Sequence, residues 1–333
     1  MRARNLRIKA LAHLEMMRPY TMFHSGLVAL AGVELASQGH AAVWRSVLAA
    51  LVTMCGWEAG LYAGDYFDRD LDARSKPDRA IPSGRVSPRE AFSTMVALIL
   101  AGYACALALG PANLVLALVT TALGIAYART FKAMAILGNF DRGVLGICAA
   151  LFGAFAGGAV LRPAVLLLLV VVFFHDSATN LVGAIRDVDG DRAANCSTVP
   201  VVYGVGRAVA IVTILVLCQV VASLALLATV PVTPVAAILF ACALLFDGVV
   251  YIPLWRAGAA LLRPQALTAH KVLVAERLVL MSAFIAVYVP PAVALGVLVA
   301  TLAVTLGSQW VLRDRYERQR IAPPALGPGY SRG

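Results

Sequence analysis

Charge is what this chain has least of. Only 14% of its 333 residues are Asp, Glu, Lys or Arg, while 61% are hydrophobic, a balance that excludes an ordinary water-soluble domain. No polar stretch is long enough to form a separate domain. The longest, Asp65 to Pro88, is broken by Pro77, Pro82, Gly84 and Pro88, and predicts a structured loop with a short helix. There is no CxxC pair among Cys55, Cys105, Cys148, Cys196, Cys218 and Cys242, which argues against both a disulfide framework and a thiolate metal site. The apolar runs also lack period-2 alternation, so they are helices and not barrel strands.

What is present is a series of runs of about 20 apolar residues, the length that crosses a bilayer as a helix. Ten candidates lie near residues 19–38, 43–63, 90–109, 112–127, 143–161, 164–185, 208–230, 233–254, 272–289 and 291–311. The first has a basic lead like a signal peptide, but its length and the spans that follow make it a retained helix. The expected organisation is one integral-membrane domain over 1–312, then a basic, Pro/Gly-rich tail over 313–333. Lys and Arg gather at Arg2–Lys9, Arg69–Arg89, Arg129–Lys132, Arg186–Arg192, Arg256–Lys271 and Arg313–Arg320. With ten crossings all of these fall on one side, so both termini and the tail are expected to be cytoplasmic in a multi-pass plasma-membrane protein. That asymmetry, with attraction to anionic membrane lipid, accounts for the net charge of +10 without a nucleic-acid partner.

Acidic residues number only 18, so their grouping matters. Asp65, Asp68, Asp70 and Asp72 close the second span, and Asp187, Asp189 and Asp191 close the sixth. Carboxylates at membrane depth are costly and mark function. At about 100° per residue, Asp65, Asp68 and Asp72 share one helical face, with Glu58 and Tyr62 on or near it, while Asp70 points elsewhere. Asp187 and Asp191 share another face, joined by Asn180 and Asp176, while Asp189 points away and His175 reads as structural. Magnesium takes hard oxygen ligands and is held by carboxylates together with substrate phosphates. Two such stripes can therefore hold Mg2+ ions that grip a diphosphate, whereas five carboxylates with no cation would repel one another. Solvated loop charges balanced by arginines are the plainer reading of either cluster alone. Both clusters at span ends on one membrane side weigh against it.

The fourth span ends in Tyr127-Ala128-Arg129-Thr130-Phe131-Lys132. A departing diphosphate needs cationic and hydroxyl donors, which makes Tyr127, Arg129 and Lys132 catalytic candidates. The alternative is an anchor with an interfacial tyrosine. Arg69 and Arg192 each adjoin a cluster and, ahead of Arg79 and Arg85, are substrate-binding candidates with Asn180 and Asp176. His24 and Glu58 either orient an acceptor or make interhelical hydrogen bonds. A faint repeat, four spans long, suggests two similar units.

These residues carry a resemblance. DxxDxxxD at 65–72, the Tyr/Lys loop at 127–132 and DxxxD at 187–191, with Arg18-Pro19 and Pro82-Ser83-Gly84-Arg85, resemble the UbiA superfamily of intramembrane prenyltransferases. The resemblance implies an all-α polytopic bundle with a nine-helix core around a central cavity opening near the cytoplasmic side; the ten spans counted here depart from it by one, expected after residue 255. It implies Mg2+-dependent transfer of a prenyl group from an isoprenyl diphosphate to a hydrophobic, often aromatic acceptor. Asp65, Asp68, Asp72, Asp187 and Asp191 would be metal ligands, and Tyr127 and Lys132 would assist the diphosphate. The chain departs from the family in having Gly64 where Asn is usual, and a Tyr-to-Lys spacing of five where four is common. Glu58 or Tyr62 is expected to reach the place of the missing amide, so that bulk at Gly64 would crowd it. Relatives that cyclise the prenyl chain without an acceptor, or that use a phosphoribosyl diphosphate, remain open. A cation-coupled transporter ranks lower, because its carboxylates would sit near the midplane on broken helices.

Overall fold

The computed structural model describes residues 2–158 and 162–317. Among them are thirteen α-helices and two short 3-10 turns, with no strand longer than an isolated bridge. In chain order the helices are α1 (Arg2–Met17), α2 (Pro19–Ser37), α3 (Val43–Phe67), α4 (Arg69–Ser75), α5 (Pro88–Leu109), α6 (Pro111–Arg129) and α7 (Ala135–Ala156). They continue as α8 (Pro163–Ala193), α9 (Val199–Tyr203), α10 (Val205–Leu227), α11 (Pro234–Ala257), α12 (Arg263–Ile285) and α13 (Pro291–Glu317). Proline opens six of the ten long helices, where its fixed φ fits the first turn and its missing N–H costs nothing. Ser87 adds a capping box to α5: Glu90 N donates to Ser87 Oγ at 3.2 Å, and Ser87 N to Glu90 Oε2 at 2.9 Å.

Each of the ten expected spans is met by a helix among the described residues, with 159–161 of the fifth lying outside them, and the expected short helix in the loop is α4. Eight of the ten are long and apolar enough to cross a membrane: α3, α5, α6, α7, α8, α10, α11 and α13. The exceptions, α2 and α12, have the most sheltered positions. They bury 13 of 19 and 15 of 23 residues respectively, so protein and not lipid surrounds their polar groups. α13 runs through Glu317, with Arg313 inside it and buried at 1% exposure. The tail beyond, 318–333, lies outside the described residues.

The helices close a cycle. α2 packs on α3, α3 on α5, α5 on α6, α6 on α7, α7 on α8, α8 on α10, α10 on α11, α11 on α12, and α12 back on α2. That makes nine helices, with α13 outside against α1, α2 and α12. The cycle is pinched where α2 meets α7. A Cβ on Gly153 would lie 1.9 Å from Ala29 O, and one on Gly32 would lie 2.3 Å from Ala150 O. Only glycine permits that approach, the small-residue packing by which membrane helices associate. The pinch fixes α2 and α7 beneath the end where α3, α6 and α8 bring their polar residues.

Candidate active site

The first cluster sits on a helix with a one-residue break. Asp68 closes α3 through its N–H to Gly64 O at 2.9 Å, and its carbonyl accepts Asp72 N at 2.7 Å to start α4. Asp65 and Asp72 are buried at 5% and 4% exposure, and Asp70 is turned outward with its side chain 86% exposed. Arg18 donates to Asp65 Oδ1 at 2.5 Å. Pro19 disfavours the right-handed helical region at residue 18, and Arg18 takes φ +46° there, at the joint between α1 and α2. Arg79 spans the cluster, 2.6 Å from Asp72 Oδ2 and 3.7 Å from Asp65 Oδ1. Burial lifts the Asp72 carboxyl above the usual range, with Arg79 and Lys76 pulling the other way.

The second cluster continues α8 past its apolar run. Arg186 grips Asp187 with both Nε and Nη2, at 3.1 and 2.6 Å. Thr198 Oγ1 donates to Asp191 Oδ2 at 3.0 Å. The Asp189 side chain is 79% exposed and pairs with exposed Arg192 at 3.4 Å.

Two backbone hydrogen bonds bring the clusters together. Ser197 N donates to Ala133 O at 2.9 Å, and Ala135 N to Ser197 O at 2.5 Å. They zip the loop after α6 to the loop after α8 as an isolated parallel bridge. The 3-10 turn Phe131–Ala133 then carries Lys132 onto Asp68 of the first cluster. The longer Tyr-to-Lys spacing is taken up by that turn. Groups between the clusters sense both. Burial pushes the Lys76 amine down, and Asp187 and Asp72 hold it up. Burial pushes the Cys196 thiol up, and Asp191 and Asp68 add to the rise.

Below the carboxylates lies a neutral polar layer. Tyr127 OH donates to Asn180 Oδ1 at 2.9 Å, and Asn180 Nδ2 to Asn139 Oδ1 at 2.9 Å. The Arg142 guanidinium stands over Trp57 and Tyr127, 4.7 and 5.9 Å from the ring centroids. Deeper still, Asp176 bonds His24 Nε2 at 2.9 Å.

The structure thus gathers Asp65, Asp68, Asp72, Asp187, Asp191, Lys132, Tyr127 and Asn180 at one end of the bundle. Four candidates fall outside that group, the first being Asp176, which is buried deeper against His24. Arg69 folds back on Tyr66, donating to its carbonyl at 2.8 Å and stacking 4.8 Å from its ring. Arg192 stays with exposed Asp189, and Arg129 is exposed at the end of α6. The arginines that touch the carboxylates are Arg18, Arg79 and Arg186. Adjacency to a cluster misled for Arg69 and Arg192. Arg186 also adjoins a cluster, and its stem is long enough to wrap the 100° between successive residues. Only tertiary structure brings Arg18 and Arg79 in. Gly64 departs from expectation too: a Cβ there would meet nothing within 4 Å. Tyr62 OH is taken by His13 Nδ1 at 2.8 Å, and neither Glu58 oxygen has a hydrogen-bond partner among the described residues.

Comparison with known proteins identifies the family and the fold. Residues 25–263 match the model of the UbiA prenyltransferase family. The digeranylgeranylglyceryl phosphate synthase of Natronomonas pharaonis is 33% identical over 194 residues, 58% of this chain and 69% of that protein. The apo structure of a UbiA homologue from Aeropyrum pernix K1 superposes with a TM-score of 0.69 at 20% identity, covering 80% of this chain and 97% of the other. A homologue from Archaeoglobus fulgidus, solved with GPP and Mg2+, gives 0.59 at 18% identity, covering 90% and 99%.

Proposed function

This chain belongs to the UbiA prenyltransferase family, and on that footing we propose that it transfers a prenyl group from an isoprenyl diphosphate to a hydrophobic acceptor, aromatic or lipid-like, in a Mg2+-dependent reaction within the membrane. The observation that carries the reading is the meeting of two carboxylate clusters with Lys132 at one end of a ring of apolar helices. The A. fulgidus homologue holds GPP and Mg2+, and the relatives' name describes a prenylated glyceryl phosphate product.

The donor set fits magnesium. Asp65, Asp68, Asp72, Asp187 and Asp191 offer hard oxygens only, and each faces a cation or a hydroxyl donor that favours its ionised form. These residues would hold the ion, which when bound supplies positive charge against the departing diphosphate. Lys132, Arg79 and Arg18 already stand at the carboxylates and can turn N–H donors to diphosphate oxygens. Tyr127, fixed by Asn180, adds a hydroxyl. The C–O bond of the donor breaks with its electron pair leaving on diphosphate. The acceptor nucleophile bonds to the freed prenyl carbon, and its proton leaves with solvent or diphosphate. Apolar walls keep water from the cation.

The one-sided basic stretches support an orientation in which the carboxylate end, both termini and the tail face the cytoplasm across the cell membrane. Residues 65–89 are then reachable by a soluble diphosphate from the cytoplasm. Protein in detergent, given geranyl diphosphate, Mg2+ and a lipid extract, should release diphosphate and form a prenylated lipid. Release with a cyclised product and no acceptor would overturn transfer, and ion flux in liposomes without release would overturn the enzyme.

A further inference from the structure

The deepest polar cluster takes no part in this chemistry. His24 on α2, His175 and Asp176 on α8 and Glu276 on α12 are at most 4% exposed. Asp176 precedes Asp187 by 11 residues, about 16 Å along the helix. We propose that His24, His175 and Asp176 form a second metal site, for one divalent transition-metal ion of the zinc type, distinct from the carboxylate clusters.

Geometry carries the proposal. One ligand atom from each of the three residues lies within 4.8 Å of the others. His24 Nε2 and His175 Nδ1 converge on the same oxygen, Asp176 Oδ1, at 2.9 and 3.6 Å. An ion bound tetrahedrally at about 2.0–2.1 Å sets neighbouring ligand atoms about 3.3 Å apart, and the two separations bracket that edge. His175 Nδ1 is buried with no hydrogen-bond partner, while its Nε2 is engaged by Glu276 Oε2 at 2.8 Å. This is the arrangement in which a carboxylate orients a metal-binding imidazole through its far nitrogen. The other oxygen, Asp176 Oδ2, faces Arg142 at 4.0 Å, and a Cβ on Gly146 would come within 2.7 Å of it. Glycine at 146 therefore leaves room for the carboxylate in its place.

Ligand type separates this site from the other. Two imidazoles and one carboxylate suit zinc, cobalt or iron and are poor partners for magnesium. The three ligands come from α2 and α8, and Glu276 adds α12, so a bound ion would tie together the helices that carry Arg18, the second cluster and Arg263. The proposal does not depend on prenyl transfer. Its rival is a bare ion-pair network in which a proton on His175 replaces the ion.

The test is metal content. The full chain, purified in detergent on a tag without histidine, is analysed as isolated and after stripping and incubation with Zn2+ or Co2+. One ion per chain is expected, retained against excess Mg2+, with the visible absorption of tetrahedral cobalt. His175→Ala should lose it, Asp187→Asn should keep it, and Glu276→Gln should bind about 10–100-fold more weakly. Wild type that binds no more than a His24→Ala/His175→Ala double variant overturns the site. If the variants do not fold, the cobalt spectrum of wild type decides alone, since no tetrahedral band after incubation also overturns it.

Discussion

Lys132→Met separates the two roles the lysine can have. In the structure its amine is bonded to Asp68, with both side chains partly open at 27% and 29% exposure. A pair that exposed contributes at most about 1 kcal/mol to stability. As a donor to the departing diphosphate it is worth far more, because removing one preorganised donor to a developing oxyanion lowers kcat by about 10²–10³, roughly 2.7–4 kcal/mol. The variant should therefore unfold at nearly the wild-type temperature and turn over at least a hundredfold more slowly. Loss of the lysine also frees Asp68 from its internal cation, so the Mg2+ concentration for half-maximal rate should fall, not rise. Lys132→Arg should recover part of kcat. The assay is diphosphate release against Mg2+, alongside thermal unfolding in detergent. Wild-type turnover in Lys132→Met would refute the donor role. A raised Mg2+ requirement would refute the idea that the lysine competes with the ion.

Asp187→Asn should abolish diphosphate release and leave the protein folded, whereas Asp189→Asn, at an exposed position, should be near wild type; equal damage in the two would show that the helical faces are misassigned. Gly153→Leu should cost at least about 3 kcal/mol, because the Cβ alone would stand 1.9 Å from Ala29 O and overpacking on that scale forces the helices apart; unchanged thermal unfolding would rule out the close approach. Acid should weaken Mg2+ binding early. The raised Asp72 carboxyl takes up a proton at higher pH than an ordinary carboxylate, so the Mg2+ requirement should climb as pH falls towards the ordinary carboxylate range. Asp72→Asn should remove that part of the climb, and a requirement flat down to the ordinary range would contradict it.

Most of the fold was legible because a bilayer leaves few options. An apolar run of the right length becomes a helix. The carboxylates were legible for a related reason, since charge at a span end is expensive enough to stand out. The partners were not. Arg18 lies 47 residues from Asp65 in sequence, and nothing local distinguishes it from an anchoring arginine. Arg79 reaches Asp72 only after the loop folds back past α4. Arg69 and Arg192 adjoin the clusters in sequence, yet Arg69 folds back on Tyr66 and Arg192 stays with Asp189. Gly64 failed in the opposite sense, because sequence cannot reveal open space.

The shelter of α2 and α12 bears on how the protein is made. A segment entering the bilayer during synthesis meets lipid before it meets its eventual neighbours. The two helices that fall short of the apolarity of the other eight cannot rely on partition alone. α2, carrying His24 and Glu34, emerges ahead of its packing partner α7, which follows roughly a hundred residues later, at the pace of translation. α12 closes the ring late, after the other helices of the cycle. Assembly therefore has a built-in order, in which α2 must be held, by the translocation machinery or by α3, until the glycine face of α7 arrives.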